Sequence, residues 1–249
     1  MLRTLFDRAA LPSERIVFVH ARLRNIHAAT KTSYAQLTAE LIDCLWAIRP
    51  TTILVPAYTI NTFMLGRVFH RCFSHSEVGR FSEEVRVSGS CWRSPDPMYS
   101  VLDLGNYLQQ QPHISYARTF GSDSLFEHLH QQDALIINVD IDGFLSTQVH
   151  CVELSHQVDY RFEKTFSGIV FNDEQNWHRV DYQAFVRNMR EDFSQYPPYN
   201  RRRRTEHLRA QAVLHTTSLD GIELSWIGAQ DFRQQIDTAL SGNPRFLVD

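Results

Sequence analysis

Residues 15–20 contain the run Ile16-Val17-Phe18-Val19, four apolar residues in succession, three of them β-branched. A short continuous apolar run of this kind reads as a strand buried on both faces, which places it inside a sheet covered by helices on either side. Residues 33–48 follow with Leu37, Leu41, Ile42, Leu45 and Trp46 at helical spacing, Ser33 as N-cap and Pro50 just past the end. Residues 52–55 form a second buried strand. Strand, helix and strand within about forty residues predict a right-handed βαβ crossover and hence an α/β fold.

Further along, residues 134–140 (Ala-Leu-Ile-Ile-Asn-Val-Asp) repeat the buried-strand pattern, and Ser146 or Thr147 is placed to cap a helix running to about His156. Residues 61–118 are rich in Ser, Pro, His and Arg and read as long connections over short elements, where function often resides. Residues 160–171 and 176–182 look extended around an Asn172-Asp173 turn, a helix is expected over 182–193, and Pro197-Pro198 breaks the chain. Residues 201–215 are helix-compatible and open with four arginines, Arg201 to Arg204. A strand over 222–227 and a closing helix over 229–240 complete the pattern. With 249 residues and 43% hydrophobic content, a single domain over 1–249 can bury a sizeable core.

Other classes are disfavoured. A net charge of −3 with mixed signs gives no long-range field for nucleic acid or an anionic membrane. Cys44, Cys72, Cys91 and Cys151 are widely spaced, which suits neither a zinc pattern nor a disulfide scaffold and fits reduced thiols. Neither a signal peptide nor an apolar stretch of membrane-spanning length is present, so a soluble, cytoplasmic protein is expected. The GxGxxG and GxxxxGK phosphate loops are absent from a chain with ten glycines.

The pair that carries candidate chemistry is His150 and Glu153, three residues apart on the predicted helix and therefore on one face, beyond the carboxyl end of a buried strand. A carboxylate beside an imidazole fixes its tautomer and raises its basicity, as a general base requires. The same spacing also describes an ordinary solvated pair. His156, one turn further, completes a His-x-x-Glu-x-x-His series, but catalytic zinc helices place their histidines at i and i+4, so no metal is expected. Cys151 points roughly a hundred degrees away from His150 on a helix and reads as a small core residue rather than a nucleophile.

Larger patterns run nearly from end to end. Val19-His20-Ala21-Arg22-Leu23-Arg24 is similar to Val-His-Ser-Ser-Leu-Arg, and Leu54-Val55-Pro56-Ala57-Tyr58-Thr59 to Val-Met-Pro-Thr-Phe-Thr. Ser76-Glu77-Val78-Gly79, then Glu83 and Arg86, match a Ser-x-Val-Gly-x-x-x-Glu series followed by Arg. Arg93-Ser94-x-Asp96-Pro97-x-x-Ser100 with Gly105, Phe120-Gly121-x-x-Ser124, His150-x-x-Glu153 and Tyr160-Arg161 follow in order. In order and spacing these segments resemble the aminoglycoside 3-N-acetyltransferase family of antibiotic and sugar N-acyltransferases.

The resemblance implies a three-layer α/β/α sandwich distinct from the GNAT fold, and acetyl-CoA or another acyl-CoA as donor with a small-molecule amine as acceptor. It further implies His150 as base with Glu153 supporting it, and backbone N–H groups at the oxyanion. On the same ground His20, Ala21, Arg22, Arg93, Ser94, Ser100, Phe120 and Gly121 are expected along the CoA cleft, and Tyr58, Glu83, Asp96 and Tyr99 near the acceptor. The departures bear on that acceptor. Ala21-Arg22 replaces a Ser-Ser pair, Ile26-His27-Ala28-Ala29-Thr30 a glycine-rich stretch, Asp96 the His before Pro97, and Met98-Tyr99 lacks a second His. A pocket changed at several polar positions rarely keeps its hydrogen-bonding partner. The Asp-Pro-x-x-Ser form resembles relatives acting on nucleotide-linked amino sugars in polysaccharide synthesis. Aminoglycoside acetylation and a non-catalytic binding relative are the alternatives.

Overall fold

The computed structural model describes residues 1–173, 175–188 and 199–248. The chain opens with α1 (Leu2–Asp7), β1 (Ile16–Ala21), α2 (Arg24–Thr30), α3 (Tyr34–Ala47) and β2 (Thr52–Pro56). The first crossover is therefore as the apolar pattern predicts, with β1 and β2 parallel and Ile16 opposite Thr52. Ser33 caps α3 through a reciprocal capping box with Gln36, satisfying orphan donors at its first turn.

The segment read as loops holds six short elements: α4 (Ile60–Gly66), β3 (Val68–His70), α5 (Arg80–Ser88), β4 (Trp92–Arg93), β5 (Val101–Asp103) and a 3-10 turn (Leu108–Gln110). Then come α6 (Leu125–Gln131), β6 (Leu135–Val139), α7 (Val149–Ser155), β7 (Arg161–Phe171), β8 (Trp177–Arg187), α8 (Arg201–Ala210), β9 (His215–Leu219), β10 (Ile222–Gly228) and α9 (Ala229–Gly242). Seven strands form a mixed sheet in the order β4-β5-β2-β1-β6-β10-β9, and β3-β7-β8 form a second, smaller sheet.

The alternation of β1 divides the interior into two cores. Val17 and Val19 pack with Leu37, Leu41, Leu45, Phe81 and Val85 from α3 and α5 on one face. Ile16 and Phe18 pack with Phe126, Leu129, Val152, Leu208 and Ile236 from α6, α7, α8 and α9 on the other. Helices thus cover both faces of the seven-stranded sheet, giving the three-layer arrangement.

Three predicted elements are corrected. Residues 182–187 belong to strand β8 rather than a helix, because Tyr182 and Ala184 alternate into the core beneath the β7–β8 hairpin. The rest of the expected helix and Pro197-Pro198 lie outside the described residues. Helix α8 stops at Ala210 rather than continuing to His215, since Ala212 at φ 55° turns the chain into β9. The N-cap of α7 is Gln148, with no capping side chain. The Ser146 hydroxyl donates instead to Gln148 Oε1 at 2.8 Å, and Thr147 Oγ1 shares a 2.7 Å hydrogen bond with Tyr58 Oη.

Candidate active site

Helix α7 starts where it does because the loop leaving β6 is pinned. Asn138 Nδ2 donates to the Leu145 carbonyl at 2.9 Å and its Oδ1 accepts from the Leu145 N–H at 2.6 Å. Thr205 Oγ1 accepts from the Phe144 N–H at 2.8 Å, and Arg204 Nη2 donates to the Phe144 carbonyl at 2.5 Å. Strand β6 and helix α8 together fix the direction from which His150 and Glu153 leave α7.

The two side chains meet. His150 Nδ1 lies 2.5 Å from Glu153 Oε2, so Nδ1–H donates to the carboxylate and Nε2 keeps the free lone pair. Arg161 Nε approaches the same oxygen at 3.0 Å, and Tyr199 Oη donates to Glu153 Oε1. Arg161 also donates to Tyr199 Oη through Nη2 at 3.1 Å and to the Phe185 carbonyl through Nη1 at 2.8 Å. The Glu153 side chain is fully buried while that of His150 is 15% exposed. Burial pushes the Glu153 carboxyl up, but His150, Arg161 and Tyr199 outweigh it and hold it at about 2. Burial, helped by Arg161 and opposed by Glu153, lowers His150 to about 4. An ionised carboxylate thus orients a neutral imidazole, the resting state of a general base.

The ring packs edge-on against Phe120, at 5.2 Å between centroids, and against Tyr199, at 5.9 Å. Phe120 is held by the turn that caps α6. Ser124 Oγ donates to the Gly121 carbonyl at 2.8 Å and accepts from the Glu127 N–H at 3.3 Å. Gly121 sits at φ 139°, a conformation that favours glycine, and a Cβ there would run into the Arg118 guanidinium.

His150 lines a cleft of about 160 Å³ together with Thr147, Arg161, Tyr199, Arg201 and Arg204. Arg187 is a fourth arginine of that wall, and the lining includes no carboxylate among the described residues. Tyr199 and Arg201 are shared with a larger cleft of about 780 Å³. There Arg22, Arg201, Arg202 and Arg209 face Asp140, Asp142, Glu206 and Glu223. Two of those carboxylates are already paired, Glu206 with Arg202 at 2.7 Å and Glu223 with Arg209 at 3.1 Å.

The residues expected along the CoA cleft divide. Arg22 lines the larger cleft, and Phe120 touches the imidazole. Ala21 is the last residue of β1, with its backbone opposite Val139. His20 is buried behind it, with Nε2 unpartnered and its ring lowered to about 3 by burial, Arg204 and Arg201. Arg93, Ser94 and Ser100 line neither cleft, because their polar atoms are spent on the fold. Arg93 donates to Ser100 Oγ at 3.0 Å and to the carbonyls of Ala57, Arg71 and Ser74. Ser94 Oγ accepts from the Val101 N–H at 2.9 Å, and Ser100 Oγ donates to the Ala57 carbonyl at 2.7 Å.

The acceptor set divides too. Tyr58 and Tyr99 pack with tilted rings, centroids 4.9 Å apart, behind the site, Tyr58 bracing Thr147 of the cleft wall. Glu83 is occupied by Arg86, His75 and the Ser76 N–H. Asp96 is buried, its Oδ1 accepting from the Met98 and Tyr99 N–H groups and from Tyr182 Oη at 2.8 Å. Neither carboxylate lines a cleft beside His150. His156 pairs with Asp237 at 2.9 Å, so the His-x-x-Glu-x-x-His series does not converge. Residues that sequence reasoning gave no role are Arg161 and Tyr199. Tyr160-Arg161 was a signal only through the family pattern, and Tyr199 carried none.

A sequence profile described as aminoglycoside 3-N-acetyltransferase matches residues 18–232. The chain belongs to that family. It is accordingly an acyl-CoA-dependent N-acyltransferase. Among solved structures, aminoglycoside acetyltransferase AAC(3)-Xa superposes with a TM-score of 0.74 at 15% identity, over 99% of this chain and 92% of the other. YokD protein from Bacillus subtilis gives 0.71 at 13%, over 98% and 93%. AAC-IIIb in a binary complex with CoASH gives 0.71 at 12%, over 97% and 95%. At these identities the likeness concerns the fold. Comparison with curated proteins finds no match by sequence. Among the described residues, no helix is long and apolar enough to cross a membrane.

Proposed function

We propose that this acyltransferase moves an acetyl or slightly larger acyl group from CoA to the amine of an anionic, nucleotide-linked amino sugar, with His150 as general base. The neutral amine attacks the thioester carbonyl, His150 Nε2 takes the ammonium proton as the C–N bond forms, and as the C–S bond breaks the imidazolium returns that proton to the leaving sulfur, releasing CoA thiol and regenerating the base. The Glu153 carboxylate, held by Arg161 and Tyr199, stabilises the imidazolium that results. Cys151 is not required as a nucleophile: it is buried, burial pushes its thiol well up, and it does not line the His150 cleft.

The observation that carries the acceptor is the wall beside His150, where Arg161 is compensated by Glu153 but Arg201 and Arg204 form no ion pair with a described residue, and no carboxylate is among the described lining residues. Guanidinium groups pair bidentately with phosphate, and the chain has only Lys31 and Lys164 as lysines for that task. AAC-VIa is described as bound to sisomicin and AAC(3)-IVa as in complex with a gentamicin, and a polycation of that kind is repelled by such a wall. One feature favours the aminoglycoside reading: Asp140 and Asp142 in the larger cleft are not paired with Arg202 or Arg209. Competition decides between them. With acetyl-CoA and equimolar nucleotide-linked amino sugar and aminoglycoside, mass detection should find the nucleotide sugar acylated first. Preferential acylation of the aminoglycoside would replace this reading with the second.

A further inference from the structure

Outside the catalytic cleft, helices α6 and α7 bring together one further set of chemically potent side chains. Glu127, His130 and Cys151 each offer a ligand atom, and these atoms all lie within 4.8 Å of one another. His130 is 2% exposed, and neither ring nitrogen has a hydrogen-bond partner. Its Nδ1 is 3.8 Å from Glu127 Oε2, too long for a hydrogen bond. A buried imidazole with both nitrogens unsatisfied is costly to retain in a folded interior, which points to a ligand for it.

We propose that Glu127, His130 and Cys151 hold a zinc ion. The set is one carboxylate oxygen, one imidazole nitrogen and one thiolate sulfur, the mixture zinc accepts in tetrahedral sites, and three protein ligands leave a fourth position for water. A cleft of about 270 Å³, lined by Glu127 and Cys151 with Gly121, Ser122 and Arg233, supplies the path in and the space for that water. Arg233 Nη1 donates to Glu127 Oε1, which leaves Oε2 directed toward His130. Ligating carboxylates are commonly oriented by such a partner. Binding releases the Cys151 thiol proton to solvent as the Zn–S bond forms, so uptake strengthens with rising pH.

The site is separate from the acyl transfer. His150 and Cys151 are neighbours in sequence but line different clefts, as expected of adjacent residues on a helix. The metal would join α6 to α7, and so fix the helix that carries His150, without touching a substrate.

The test uses chelator-treated full-length protein and the metal alone. Zinc added in slight excess and followed by desalting should leave one ion per chain, and cobalt(II) in its place should show a thiolate-to-metal absorption band. Cys151→Ser and His130→Phe should abolish that band and weaken zinc by more than the ~10–100-fold typical of losing an outer-shell partner. Cys72→Ser, which removes the exposed thiol, should change neither. A folded wild-type protein that takes up cobalt without a thiolate band, or takes up none, overturns the site even if both variants misfold. A band that survives in folded Cys151→Ser overturns it as well.

Discussion

Helices α6 and α7 contribute to the core on the same face of the large sheet, and each carries a glutamate and a histidine three residues apart. In α7 the carboxylate is fully buried, and the imidazole, 15% exposed, reaches the cleft. In α6 the burial is reversed, with His130 at 1% and Glu127 at 15% of side-chain exposure. Glu153 is held by Arg161 and Tyr199 close to its own histidine, whereas Glu127 is drawn to Arg233 and stands 3.8 Å from His130. Spacing places two groups on one face, and the surroundings of the carboxylate decide what they do. A buried, charge-compensated acid with a solvent-reaching imidazole suits the base proposed for α7; a buried imidazole without a partner suits the ligand proposed for α6.

The largest effect should come from removing the α7 imidazole. On folded protein with saturating substrates, His150→Ala should lower turnover about 10²-fold or more, the typical contribution of general-base catalysis. Near-wild-type turnover would remove the base and, with it, the functional half of the comparison. Glu153→Gln should cost less turnover than His150→Ala, but it should be the more damaging to the fold. It leaves the Arg161 guanidinium, 6% exposed, without its counter-charge, and breaking a buried pair in this way costs about 3–5 kcal/mol. Denaturant midpoints for the two variants check that ranking. Because Glu153 raises the His150 pKa, Glu153→Gln should also move the acid limb of kcat/KM to lower pH.

That acid limb sharpens the contrast further. His150 is held at about 4, below its ordinary 6.5, so the free base should persist down to that region and kcat/KM should fall only as pH drops through about 4. Stability has the same sign. Between 6.5 and about 4 the unfolded chain binds the His150 proton and the folded chain does not, so stability declines as pH falls through that window. Glu153 adds a second decline between 4.5 and about 2, as its folded-state charge is neutralised. A limb near 6.5, measured where the protein is still folded, would show an imidazole bathed in solvent and would erase the difference that burial makes.

How much of this was visible in the residues follows from what local pattern can encode. The β1–α3–β2 crossover was legible because apolar runs and helical spacing reflect burial directly, and Ser33 with Gln36 carries its cap within four residues. His150 and Glu153 were legible because three residues is a local distance. Tyr199, 46 residues from Glu153, and Arg161, which reaches back from β7, were not, because nothing in periodicity records a contact between elements. The family pattern, for its part, supplied residues without their orientation. It placed Arg93, Ser94 and Ser100 along the CoA cleft but could not show that their polar atoms bond to Ala57, Arg71, Ser74 and Val101, holding the β4–β5 turn against its neighbours rather than facing His150. The expected helix fails over 183–187, since the alternation of Tyr182 with Ala184 registers only once β7 is alongside.

The smallest expected effect falls on α6 and is the most direct test of the contrast, because it asks what an imidazole is worth when nothing accepts or donates to it. In chelator-treated protein, His130→Phe removes two buried nitrogens that have no hydrogen-bond partner and keeps an aromatic ring in their place. Replacing unsatisfied polar atoms by apolar ones of similar shape is close to neutral or stabilising, so unfolding free energy should change by no more than about 1 kcal/mol. The larger ring works against a gain, since overpacking has its own cost in a dense core. Under the same conditions Glu153→Gln should lose several times more, because its partners Arg161 and Tyr199 are left behind in the interior. A loss for His130→Phe as large as that for Glu153→Gln would mean that the α6 ring has a partner of its own even without added metal. The two pairs would then differ in the identity of the partner rather than in its presence.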